Sequence, residues 1–449
     1  MHTRVVAKYG RSRRGRRFWV WLLAPAALTV VLPSAAARAA TPPTVSAVPA
    51  DTPSLATTGV PEVVRQLVQC GSTMYAVGRF TAIQYHGRVY RRSNAFSFAA
   101  TAPYAPTSWN PDVDGEVNSI TFLGTGCSDA YLGGNFSAVG RAPAQDIAEV
   151  STGTGAVVTR FARSANRPVE TLAVSAGQLL VGGFFTSING GHVPYFASLD
   201  PTTGVPDGYL NLDISGHYQY PGVSGNHTRV YNQQISHNGK LDLVEGDFTS
   251  VGGRHRQQIF MLALGGSRAT VTAWTSTEFY QNCATIEPFY IRAASWSPDD
   301  ATVYVATTGF HPDPGGTHGP RTGLCDAAAA FPATQTTVTD RWINYTGCDS
   351  LYSTAAGADT VYFGGHERWA DNSHGCNAPG PGAVPAPGMV GLSPTTGAVV
   401  FDPTRSRGYG ADDMLLTADG LWIASDNFRG ANRCAGKAGH AGICFLPYG

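Results

Sequence analysis

Val181-Gly-Gly-Phe-Phe-Thr-Ser187 closes an apolar strand on paired glycines and leads through Phe185 into a hydroxyl-bearing turn. The same run recurs as Tyr131-Leu-Gly-Gly-Asn-Phe-Ser137 and Val244-Glu-Gly-Asp-Phe-Thr-Ser250. Degenerate copies stand at Val77 to Thr81, Val305 to Phe310, Phe363 to Arg368 and Ile423 to Phe428. Measured on Phe80, Phe136, Phe185, Phe248, Phe310, Glu367 and Phe428, the mean step is about 58 residues, a period that signals stacked supersecondary units.

Around each anchor the pattern is that of short strands. Val169 to Val174 alternates, Gln178 to Gly183 follows a glycine turn, and Tyr195 to Asp200 follows the anchor. Pro201-Thr-Thr-Gly204 then supplies a glycine where a turn needs positive φ. Ser151 to Gly155 and Ser393 to Gly397 repeat that turn, each before a further apolar run, Ala156 to Phe161 and Ala398 to Phe401. No stretch carries a long helical period. The expected fold is therefore all-β, a seven-bladed β-propeller of four-stranded antiparallel blades. The last copy shows only three strands, and Pro53 to Thr58 is expected to supply the fourth, joining the two ends of the chain.

Residues 1–39 read as a signal peptide: the basic run Arg11 to Arg17, the apolar run Phe18 to Leu32, and small residues at Ala37 and Ala39. An uncleaved signal anchor is the lesser reading. Residues 40–56 read as a Pro/Ala/Thr-rich linker, and residues 57–449 as the propeller. The whole chain has 31 Lys plus Arg against 31 Asp plus Glu. Eight of the bases lie in the leader, so the mature chain carries 23 bases against 31 acids, a net of about −8. An acidic exported chain of this kind argues against nucleic acid as a partner. The expected partner is an extracellular glycan or protein, bound by a monomer.

Eight cysteines behind an export signal read as disulfides. Blade register pairs Cys70 with Cys127 across neighbouring blades. It pairs Cys283 with Cys325 and Cys348 with Cys376 as one device used twice, and leaves Cys434 with Cys444.

These repeats resemble the delta-60 type of bacterial β-propeller repeat. Its signature is Val-Gly-Gly-x-Phe-Thr-Ser-Val/Ile-x-Gly followed by Leu-Asp-Pro-x-Thr-Gly. The matching runs here are Val181 to Gly190 with Leu199 to Gly204, Leu132 to Gly140 with Val150 to Gly155, and Val244 to Gly253. The resemblance covers nearly all of the chain after the leader and implies a propeller fold in a secreted or cell-surface protein. It implies no catalytic residues.

The glycine pairs end strands and open no helix, so bulges or close-packed turns are expected there, and no phosphate cradle. Asn110-Pro-Asp112-Val-Asp114-Gly115 has the spacing of a calcium loop, but Thr121 stands where the bidentate Glu belongs, so an ordinary turn is expected. No Gly-x-Ser-x-Gly or His-Glu-x-x-His motif occurs, and His192, His217 and His227 are irregularly spaced. Neither metal nor cofactor is expected.

The candidate binding residues are Asp247, Asp349, His366, Glu367, Arg368, Trp369, Asp412, Asp413 and Asp426, at strand ends of blades four to seven, with Trp342 and Tyr345 beside them. Carboxylates beside aromatic rings suit sugars, and two spaced carboxylates would permit glycoside hydrolysis. The structural reading of the same residues pairs Glu367 with Arg368 and packs Trp369 between blades. The sequence thus favours a non-enzymatic binding module on a secreted or cell-surface propeller, with an extracellular carbohydrate-active enzyme as the alternative.

Overall fold

The computed structural model describes residues 44–218, 227–280, 283, 288–310, 323–403, 408, 410–428, 433–435 and 437–449. The expected leader, residues 1–39, and the start of the expected linker lie outside the described residues. The chain is all-β. A 3-10 turn, Thr277–Phe279, is started by the Ser276 hydroxyl. No helix among them is long and apolar enough to cross a membrane.

The strands form antiparallel meanders. Their first strands are Val63–Cys70, Glu116–Phe122, Val169–Ser175, Arg229–Ile235, Ile291–Trp296, Leu351–Ala356 and Ala411–Thr417. Each first strand packs on the first strand of the next meander, and Ala411–Thr417 packs on Val63–Cys70, so the arrangement is that of a propeller. Three meanders, starting at Arg229, Ile291 and Leu351, carry four strands. The other four carry three. In three of those a single bridge, Phe98 to Pro106, Val150 to Val157 or Leu199 to Pro206, stands where a fourth strand was expected. Proline at two of these edges removes the donor that a longer ladder needs.

The apolar core is divided among the interfaces between meanders. Trp109, Val117, Leu132 and Phe136 meet Tyr75 and Val77 at one interface, and Trp422 and Phe445 meet Phe96 and Phe98 where the last meander meets the first. Trp422 stacks on Phe445 at 4.1 Å. Side chains of this size contribute roughly 1.5–3 kcal/mol each by leaving water, and neither face of a meander is covered unless its neighbours are present.

The repeated motif has a local cause. Gly78, Gly134, Gly183, Gly246 and Gly365 each face the start of a first strand, where a Cβ would come within 2.1 to 2.4 Å of a backbone carbonyl oxygen. Opposite each lies a register shift, so the glycine pairs do mark bulges. Thr307 and Ser425 hold the same place in the fifth and seventh meanders. The buried anchor Phe80, Phe136, Phe185 or Phe248 then accepts through its carbonyl an N–H from Asn94, Asp146, Tyr195 or Gln258. Those four partners adopt φ between 63° and 67°. Each returns its own carbonyl to the glycine N–H at 2.9 to 3.0 Å.

The hydroxyl turn after the anchor is tied down as well. Glu62 accepts from the Thr81 N–H at 2.8 Å, Asp114 from Ser137 and Ala138 at 2.8 and 2.9 Å, and Asn166 from Thr186 and Ser187 at 2.9 and 3.1 Å. The acid of the calcium-like run thus closes an ordinary turn.

Two expectations about the ends need correction. Residues 53–58 do not form the fourth strand of the last meander: Ser54–Leu55 pairs with Ala82–Tyr85. The strand Ile443–Pro447 is instead met by residues just upstream, with Ser46 N–H on Pro447 O at 2.8 Å and Ala50 N–H on Phe445 O at 3.0 Å. Residues 44–56, expected within a linker, are accordingly docked, with Val45, Leu55 and Ala56 buried. The exposed edge of Ile443–Pro447 and these apolar side chains satisfy one another.

All four cysteine pairs form as the register implies: Cys70–Cys127, Cys283–Cys325, Cys348–Cys376 and Cys434–Cys444. They fit an extracellular location.

Candidate functional site

The bulges do more than bend strands. Each register shift skips one residue: Arg65, Asn118, Glu170, Tyr231, Arg292, Tyr352 and Asp412. A residue outside the ladder is free of the alternation that sends its neighbours into the interfaces. All seven line one axial cavity of about 340 Å³. The bulges, faced by glycine in five meanders and by Thr307 and Ser425 in the other two, therefore aim one side chain per meander at the axis.

Charge in this cavity is unevenly neutralised. The Arg65 Nε lies 2.7 Å from Glu116 Oε1, and its Nη1 lies 2.8 Å from Asp412 Oδ1. Burial alone would lower the Arg65 pKa, but Asp412 and Glu116 together raise it. Asp413 accepts the Leu67 N–H at 3.0 Å, and burial pushes its carboxyl up to about 6. Burial also raises Glu170, opposed by the fields of Arg229, Arg65 and Arg292.

Arg229 and Arg292 differ from Arg65. Neither has an acceptor or an ion-pair partner among the described residues, and the Nε of each is buried. They flank one ring, their guanidinium carbons 5.5 and 5.3 Å from the centroid of Tyr231. Phe184 supports Arg229 at 4.7 Å and Tyr352 supports Arg292 at 5.8 Å. The Tyr231 hydroxyl donates to the Ile291 carbonyl, which fixes the ring, and the Tyr352 hydroxyl meets His366 Nδ1 at 2.8 Å.

A second cavity, of about 460 Å³, shares Arg65, Arg292, Tyr352 and Asp412 and adds Glu62, Arg79 and Asp426. The ring of bulged residues thus borders both.

Of the residues singled out from sequence, Asp412, Asp413 and Asp426 line these cavities. The others do not. Asp349 forms a two-pronged ion pair with Arg368, at 2.7 and 2.9 Å, and Arg368 also holds Asn377 of the Cys376 loop. Arg368 thus pairs with Asp349, where the structural reading had paired it with Glu367. Glu367 is fully buried, Asp247 accepts the Tyr218 N–H, and His366 supports Tyr352. Trp369 belongs to a two-residue strand paired with Val384–Pro385. The Trp342 indole donates to the Pro394 carbonyl and the Tyr345 hydroxyl to the Gly323 carbonyl, so both rings are structural. Among the described residues no group of three or more His, Cys, Asp or Glu is arranged to hold a metal.

Asp412 and Asp413 lie on a first strand, whereas Asp247 and Asp426 lie on or just after second strands. Asp247 faces Arg229 across the ladder, and Ser425, next to Asp426, faces Ala411. The bulged residues that line the axial cavity sit on the first strands. Aligning the seven copies on the residue facing the start of each first strand, a glycine in five of them, and reading the residue skipped opposite it picks out this set.

No family model matches this chain, and no curated protein does. Solved structures do. It is similar over 89% of its length to U3-55K, at 11% identity and TM-score 0.47, covering 100% of that chain. It is similar over the same share to the WD40 β-propeller domain of Doa1, at 9% identity and TM-score 0.47, covering 96% of that chain. The computationally designed Ika8 protein is similar at 10% identity and TM-score 0.44, with 100% of that chain covered.

Proposed function

We propose that this chain is an exported seven-bladed β-propeller of the delta-60 repeat type, acting as a binding module that receives an extracellular glycan at its axial cavity. The observation that carries the reading is the ring of bulged residues. One geometric position occurs in every copy, yet it is filled by Arg65, Asn118, Glu170, Tyr231, Arg292, Tyr352 and Asp412. A position outside the ladder is released from the alternation that packs its neighbours between blades, so the side chains there that the seam does not use are available for a ligand. Mixed donors, acceptors and aromatic faces in one polar cavity suit a polyhydroxylated molecule. The four disulfides and the basic-apolar leader support export. A carbohydrate-active enzyme is the second reading: Glu116 and Asp412 are occupied by Arg65, which leaves Glu170 and Asp413 as the carboxyls it would use.

The test is a glycan array probed with the purified protein, with mass analysis of any hit. Binding with the glycan left intact, lost in Asn118→Ala and retained in Arg160→Gln outside the cavity, is the expected outcome. Cleavage of the hit would establish the enzyme reading instead, and a blank array would remove the glycan.

A further inference from the structure

The axial cavity holds two kinds of arginine, and the difference names a ligand. Arg65 is occupied by two carboxylates. Arg229 and Arg292 have no protein acceptor, although the Nε of each is shut away from solvent. Buried donors without acceptors cost free energy, and for charged groups the cost is larger. Both side chains are nonetheless held in place by rings: Phe184 and Tyr231 for Arg229, Tyr231 and Tyr352 for Arg292. Such a pair is preorganised for an acceptor that arrives from outside.

Resting on the binding-module reading, we infer that Arg229 and Arg292 receive the carboxylate of an acidic sugar residue of the uronic acid class, seated in the axial cavity beside Tyr231.

Three observations narrow the class. Guanidinium forks match carboxylate geometry in pairs, whereas a neutral sugar leaves them unmet. Four carboxyls, Glu116, Glu170, Asp412 and Asp413, also line the cavity, so a second negative charge on the ligand would meet repulsion, which disfavours phosphate dianions. The volume of about 340 Å³ is far more than an isolated carboxylate needs. Its remaining walls offer amides and hydroxyls, among them Asn118, Asn232, Gln234 and Thr171, which match sugar hydroxyls. Glu170, whose carboxylate accepts no hydrogen bond among the described residues, is a ready acceptor for one of them.

Isothermal titration of the purified protein with sodium glucuronate, glucose, sodium acetate and inorganic phosphate tests this on the unaltered chain. Saturable glucuronate binding, with the other three at least tenfold weaker, is the expected result. Glucose binding as tightly as glucuronate, or acetate or phosphate doing so, would overturn it. Arg229→Gln and Arg292→Gln should each weaken glucuronate more than tenfold without moving the melting temperature by more than a few degrees. Folded variants that bind as the parent does would also overturn it. A neutral glycan that hits the array and loses binding in Asn118→Ala, with no glucuronate binding, would sink this inference and leave the binding module standing. A blank array with no glucuronate binding would remove both this inference and the glycan as ligand.

Discussion

Arg65 and Asp412 meet across the seam of the ring: Nη1 of one lies 2.8 Å from Oδ1 of the other, although 347 residues separate them in sequence. The pair joins the first strand of the first meander to the first strand of the last. Glu116 shares the guanidinium from the second meander, so one side chain ties three neighbours together.

Removing that side chain should cost more than removing either acid. Arg65→Met leaves Glu116 and Asp412 facing each other without a cation, and a loss of about 2 kcal/mol is expected. Asp412→Asn keeps an acceptor for Arg65 and should cost about 1 kcal/mol or less. Chemical denaturation of both variants checks the order. Equal midpoints, or a larger loss for Asp412→Asn, would show that the seam is not held by this pair.

The glycine that faces each bulge makes a second prediction. At Gly134 a Cβ would lie 2.1 Å from the Glu116 carbonyl oxygen, and backbone cannot yield as a flexible side chain can. Gly134→Ala should cost on the order of 2–3 kcal/mol and displace Asn118 from the axis. Gly126→Ala, where a Cβ meets nothing within 4 Å, should be neutral. Two thermal melts decide it.

Much of this architecture was legible before any coordinates, and the reason is local. The glycine pair, the anchor Phe and the Thr-Gly turn act within one meander, so each copy repeats them and the period emerges. Cysteine pairing followed because loops at equivalent positions emerge together. The seam was less legible: Ser46 and Pro447 bond at 2.8 Å, but no short-range pattern in residues 44–56 announces a strand partner so far along the chain. The ring at the axis was hidden for the opposite reason. Its position repeats while its residue type does not, so Arg65, Asn118 and Tyr231 read as noise within alternating strands. Of the acids and aromatics conspicuous by type, Asp412 belongs to the ring, whereas Asp349 and Trp342 hold loops.

The disulfides should be worth most where they join neighbours. Cys70–Cys127 links the first two meanders with a sequence separation of 57. The double variant Cys70→Ser with Cys127→Ser should lose about 2–4 kcal/mol. Cys434–Cys444, with a separation of 10, closes a shorter loop and should contribute less. Denaturation midpoints of the two double variants test the ranking, and peptide mapping without reductant should recover all four pairs.

Glu245 gives the chain a pH dependence of unusual sign. It stands where other copies carry Gly133, Gly182 and Gly364, paired across Asn232 as they are across Ser119, Thr171 and Ser353. It is fully buried, and neither carboxyl oxygen has a hydrogen-bond partner. Burial, reinforced by nearby Asp242, raises its pKa well above the usual carboxylate range. The folded chain therefore keeps the proton while the unfolded chain releases it near the ordinary value of 4.5. Stability from this group is fully present below that value and is lost as pH rises toward the folded pKa, by roughly 1.4 kcal/mol per pH unit. Glu245→Gln cannot ionise, so it should melt several degrees above the parent at pH 8 and close to it at pH 4. Melting curves recorded from pH 4 to 8 on both proteins settle the matter: a gap that does not widen with pH would mean that Glu245 is already ionised and paired in the folded chain.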